Sequence, residues 1–134
     1  DAQEILKLII ETTDFYRAMG EVLTEENIHH QLFEIANERE GYIEPFQKLV
    51  KELDEFPDSP DSDKELVDEL RGKITKLLSA DLKNAIFDKC LKKDELLAEA
   101  VNNTELSEHS TEFKRFLDSL YDHLANTKKR LSNN

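Results

Sequence analysis

The stretch NIHHQLFEIANEREGYIEPFQKLVKELDEF, residues Asn27–Phe56, decides the fold. Apolar residues recur at Ile28, Leu32, Ile35, Tyr42, Phe46, Leu49, Leu53 and Phe56, in steps of four and three that leave one gap. Arg39 fills that gap. Such steps keep a stripe on one side of an α-helix and seat its side chains between those of neighbouring helices. A strand would alternate by two instead. The stretch therefore predicts a long helix over residues 24–56, with Thr24 as its N-cap. Pro45 lacks a backbone N–H and crowds the carbonyl four residues back, so a kink or split is expected near Glu44.

The same reading extends in both directions. AQEILKLIIETTDFYRAMG predicts a helix over residues 2–20, with Ile5, Ile9, Thr12, Tyr16 and Met19 on its inner face and Gly20 as a C-cap. DEFPDSPDSD is a break, and Ser62 with Glu65 forms a capping box opening a short helix over 63–78. Asp81 caps a helix over 81–102, whose inner face centres on Ile86, Cys90, Leu97 and Val101. A last helix over 104–131 carries Leu106, Phe113, Leu117, Leu120, Leu124 and Leu131. The pattern is all-α, in a single domain over 1–134. Two helical hairpins joined by a long crossover give a ferritin-like up-down four-helix bundle with a short extra helix. The chain begins at Asp1 and not at a methionine, so a segment upstream is expected.

Charge narrows the function classes. Of 134 residues, 30 are acids and 18 are bases, a net charge of −12. Phosphate backbones and anionic membrane surfaces call for clustered Lys and Arg, so neither nucleic acid nor membrane is an expected partner. The acid excess lies in residues 1–60, with fifteen acids against five bases, so helix two is the expected face for a protein partner or a second copy. Cys90 is the only cysteine, so no internal disulfide forms, which fits a reducing, cytoplasmic setting.

Several residues carry a resemblance. LIIETT in the first helix, Glu38-Arg39 followed by Tyr42, Phe46, Val50 and Leu53, Pro57 with its DS loop, and AIFDKCLKKDELL all stand in order along the chain. In the last, Cys90 is followed four residues on by the acidic pair Asp94-Glu95. The whole chain resembles an uncharacterised bacterial family of ferritin-like four-helix proteins (domain of unknown function 2383). The histidine that the resemblance would place near Ala125 is absent. The resemblance implies a fold and no particular chemistry.

Ferritin-like bundles often hold two metal ions, using a Glu on each of two helices and Glu-x-x-His on each of the others. Here the first helix turns threonines inward, and the one Glu-x-x-His, Glu26 to His29, lies at the tip of helix two. Arg39 would repel a cation. If any metal binds, Glu105, His109 and Glu112 share a flank of the last helix at four- and three-residue steps. Tandem His29-His30 points two ways, and the acidic stretch Asp54–Asp63 lacks the glycine of a calcium loop. Cys90 reads as a small buried hydrophobe.

Asp94 lies about 40° from the centre of its helix's apolar face at 100° per residue. Helices two and three run parallel in this topology. Arg39 stands 15 residues after Thr24 and Asp94 stands 13 after Asp81, at nearly equal heights. A buried Arg39–Asp94 pair is expected, with Tyr16 or His109 as further partners, because charged groups are seldom buried unpaired. The expected function is non-enzymatic, that of a structural or interaction domain with no cofactor. The alternative is an iron-, manganese- or zinc-binding ferritin relative with an atypical site.

Overall fold

A computed structural model describes residues 2–23, 26–53 and 82–132. These residues are helical apart from short turns, and no strand occurs among them. Helix α1 spans Ala2–Val22, α2 Glu26–Glu40 and α3 Ile43–Glu52. Then come α4 (Leu82–Asn103), the single turn α5 (Leu106–His109) and α6 (Thr111–Ser132). The expected helix over 63–78, the caps at Thr24, Ser62 and Asp81, and the Asp54–Asp63 stretch lie outside the described residues.

Four rods form the bundle: α1, the α2–α3 pair, α4 and α6. Helix α1 packs against α2, α3 and α4, and α6 packs against α4 and α3. Two apolar clusters give the direction of each rod. One joins Met19 and Phe15 of α1 to Leu32 and Ile35 of α2, Ile86 and Cys90 of α4, and Leu131 of α6. The other joins Ile5 and Ile9 of α1 to Phe46 and Val50 of α3, Leu97 of α4, and Phe113 and Leu117 of α6. The α2–α3 rod and α4 thus run one way, and α1 and α6 run the other. Leu53 and Leu82 lie at opposite ends. Each fully buried Leu, Ile or Phe in these clusters stabilises by about 1.5–3 kcal/mol.

Helix two is the longest stretch, but it is divided, and not at Glu44. Helicity gives way at Gly41-Tyr42. Pro45 is the third residue of α3, where a backbone N–H has no partner inside the helix, so its missing donor costs nothing. Its ring crowds the carbonyl four residues earlier, that of Gly41, and the ladder yields there. The Tyr42 N–H turns back to the Arg39 carbonyl (2.9 Å), and the Phe46 N–H reaches the Tyr42 carbonyl (3.2 Å).

Two other expectations change. Gly20 is not a C-cap, for α1 continues to Val22. A Cβ there would stand 2.9 Å from the Phe33 ring, so the missing side chain lets α1 and α2 approach closely. The expected helix over 104–131 is two helices. Ser110 is extended (φ −158°, ψ 159°), and its Oγ accepts the Phe113 N–H at 3.2 Å, capping α6. Thr104 Oγ1 accepts the Leu106 N–H at 3.2 Å in the preceding turn.

Candidate functional site: a polar layer at the bundle centre

Between the two apolar clusters lies a layer of polar side chains, one or more from each rod. Thr12, Thr13 and Tyr16 come from α1, Arg39 from α2, Asp94 from α4, and His123 and Thr127 from α6; all are buried. The three threonines are satisfied within their own helices. Thr12 and Thr13 donate to the Ile9 carbonyl (3.2 and 2.7 Å), and Thr127 donates to the His123 carbonyl (2.8 Å).

The other four form one network. Arg39, 0% exposed, meets Asp94 through two parallel bonds, Nη1 to Oδ1 at 2.5 Å and Nη2 to Oδ2 at 3.0 Å. The Tyr16 hydroxyl donates to Asp94 Oδ2 at 2.7 Å. Arg39 Nε donates to His123 Nε2 at 3.3 Å. The guanidinium also lies over the Tyr16 ring, 4.9 Å from its centroid. A planar fork suits this place because one cation can bind a carboxylate two-pronged and still offer a donor sideways.

Protonation states follow from these contacts. Burial by itself would lower the Arg39 pKa; the facing Asp94 carboxylate outweighs it and raises the pKa above the usual value. Burial raises the Tyr16 pKa, and the Asp94 charge raises it further. Burial lowers the His123 pKa to about 4, and the Arg39 charge adds to the shift. His123 is therefore neutral at pH 7. Its Nε2 accepts from Arg39, so its proton is on Nδ1. Burial also pushes the Cys90 thiol up, well away from the thiolate form, and the Asp94 charge works in the same direction.

The layer brings Arg39, Asp94 and Tyr16 together as the sequence led one to expect, but His109 is not with them. It is exposed at the end of α5, its ring against Phe113 (5.7 Å, edge-on). His123, fourteen positions further along, fills the role. The signal was there: His123 lies three residues after Leu120 and one before Leu124, on the flank of α6's apolar stripe. Tyr42, at the α2–α3 turn, stacks on the outer side of His123 (5.3 Å between centroids). Its hydroxyl reaches Ser119 Oγ at 3.1 Å. Arg130 of α6 holds Glu38 of α2 beside the layer at 2.9 Å.

Glu105, His109 and Glu112 do not share a helix flank. The extended Ser110 puts Glu112 in the first turn of α6, while Glu105 precedes α5 and His109 ends it. Among the described residues no three His, Cys, Asp or Glu side chains converge as metal ligands. His29 is half-buried, edge-on to Phe33 (5.7 Å), and His30 is exposed. Among the described residues no helix is long and apolar enough to cross a membrane. Neither a protein-family model, nor a curated protein, nor a solved structure matches the chain.

Proposed function

We propose that this is a ferritin-like helical bundle working without enzymatic chemistry, as a structural or interaction domain in the cytoplasm. One observation carries the reading. Where a ferritin-like bundle would gather carboxylates and imidazoles around metal ions, the guanidinium of Arg39 occupies the centre and engages the donor atoms that face it. Both Asp94 oxygens accept bonds from it, and the His123 lone pair accepts a third. The Tyr16 proton is directed at Asp94, and Cys90 is buried as a thiol. A general base needs a free lone pair near its working pH, and a nucleophile needs an activated one. Neither is on offer in the layer. The direction of the rods supports the ferritin-like topology, since the chain passes from one end of the bundle to the other between Leu53 and Leu82.

The test is elemental analysis of protein prepared without a polyhistidine tag, before and after incubation with ferrous, manganous and zinc salts. Less than a tenth of an equivalent of each metal per chain is the expected result, on the order set by adventitious binding. About two equivalents of one metal per chain would establish the metal-binding alternative instead.

A further inference from the structure

The His123 ring has two different sides. On the inner side its Nε2 accepts the Arg39 Nε–H at 3.3 Å. On the outer side the ring, 9% exposed, forms part of the floor of a groove of about 810 Å³ between α2 and α6. Its Nδ1–H has no hydrogen-bond partner among the described residues. Tyr42 covers the imidazole from outside. The two ring centroids are 5.3 Å apart, and the Tyr42 hydroxyl is tied to Ser119 Oγ at 3.1 Å. Around this cover the groove carries charge of both signs. Glu38 of α2 and Arg130 of α6 pair across it at 2.9 Å, and Arg115, Asp118 and Asp122 stand along its α6 wall.

A second proton has no place on this ring where the ring now stands. Protonation at Nε2 removes the lone pair that Arg39 uses and sets an imidazolium against a guanidinium at hydrogen-bond distance. Arg39 does not yield, because a guanidinium keeps its proton and both of its Nη groups are held by Asp94. Asp94 does not compensate either. Its two oxygens already accept from Arg39, and Oδ2 accepts from Tyr16 of α1 as well. On the outer side matters differ. The bond from Arg130 holds the Glu38 carboxyl below its usual pKa, so it stays ionised as the medium turns acid. A helical side chain also has two ordinary χ1 settings, so the ring can change sides without moving the backbone of α6.

We propose that His123 is an acid-operated latch: on protonation its ring leaves the polar layer, lifts Tyr42 from Ser119 and turns into the α2–α6 groove to meet Glu38. Arg39 then keeps Asp94 and loses its third acceptor, and the groove opens onto the layer. Burial and the Arg39 charge keep the latch shut at neutral pH, since together they hold the inward ring at a pKa of about 4. The turned ring is free of both effects. The four rods stay where they are, because the apolar clusters on either side of the layer take no part in the change. Raising the pH returns the ring to Arg39, the one donor that claims its lone pair.

The test is a proton and nitrogen NMR titration of the intact chain from about pH 7 to about pH 3.5. At the neutral end the His123 ring should show the Nδ1–H tautomer, contacts to the Tyr42 ring and a sharp Arg39 Nε–H signal. As the ring takes up its proton, that signal should broaden away and the Tyr42 contacts should give way to contacts with the Glu38 side chain. All three changes should share one midpoint, while the methyl signals of the two apolar clusters keep their positions. The variant Tyr42→Phe has no tie to Ser119 to break, so its midpoint should rise by about half a pH unit. His123–Tyr42 contacts that persist through the titration would overturn the latch, as would an Arg39 Nε–H signal that outlasts it. An unmoved midpoint in Tyr42→Phe would overturn it too. Loss of the methyl signals together with the ring contacts would replace it with plain acid unfolding.

Discussion

Arg39 is an ion inside an apolar rod, and each of its nitrogens has a partner. Removing Asp94 leaves the cation buried and uncompensated. Asp94→Ala should therefore destabilise by about 3–5 kcal/mol, and Arg39→Met should cost a similar amount by stranding the carboxylate. The double variant Arg39→Met/Asp94→Leu should recover much of the loss, because an apolar pair needs no desolvation of two ions. Urea denaturation of the three variants measures this, and additive losses would show that the pair is not coupled. His123 gives the layer a pH dependence. Its folded pKa, about 4, is below the unfolded value near 6.5, so the unfolded chain binds more protons between those limits. The His123 contribution is fully present above pH 6.5, falls as the pH drops toward 4, and levels off below that. After allowance for screening at its solvent-facing edge the loss is about 2 kcal/mol. In stability–pH curves His123→Gln should be flatter than the parent across this window; parallel curves would remove His123 as the source.

At the scale of the element, helix periodicity was legible, as were the ends of α1 and α4 and the C-terminal end of α6 to within two residues, whereas the exact break in the second helix and the division of the last were not. The seam of Ile35, Arg39, Tyr42 and Phe46 marked the inner face of helix two correctly, since a stripe survives a break that keeps its phase. The site of the break depended on which carbonyl the Pro45 ring meets, four residues upstream of where the proline itself draws attention. Ser110 was passed over because the residues on both sides of it fit a single helix; only the extended backbone at that serine divides them. The structure gives its hydroxyl a definite task. Ser110→Ala removes the acceptor for the Phe113 N–H and should cost about 1 kcal/mol, while Ser110→Asp should retain most of the stability. Chemical denaturation distinguishes the two, and equal losses would mean that the cap contributes nothing.

At the scale of the molecule, the pair Arg39–Asp94 could be found from sequence because both residues interrupt apolar stripes and both heights could be counted from caps. His123 could not be placed the same way. Its height depends on where α6 starts, and that start is set by Ser110 rather than by Thr104. Imidazole is also at home both in a core and on a surface, so its composition signal is weak. The exposed acids act together on stability. A chain of net charge −12 repels itself, and salt screens that repulsion while leaving the buried pair nearly untouched. The thermal midpoint should therefore rise as NaCl increases from about 10 to 150 mM. A midpoint that falls would mean that surface pairs such as Arg17–Glu40 and Arg130–Glu38 outweigh the net repulsion.

The polar layer also restricts how the rods can slide. Leucine and isoleucine stripes tolerate axial slippage, because one turn up or down, about 5.4 Å, presents another apolar side chain of similar size. Tyr16, Arg39, Asp94 and His123 do not tolerate it. A rod displaced by one turn would leave buried donors and acceptors unmatched on the side chain it carries and on that side chain's partners. The layer works as a vernier, with one axial setting at which every mark coincides. The apolar double variant at positions 39 and 94 would regain stability and lose that setting. Its amide spectrum should then show broadened or duplicated peaks for α4 and α6, where the parent gives single sharp ones, and a sharp single set would mean that packing alone fixes the setting.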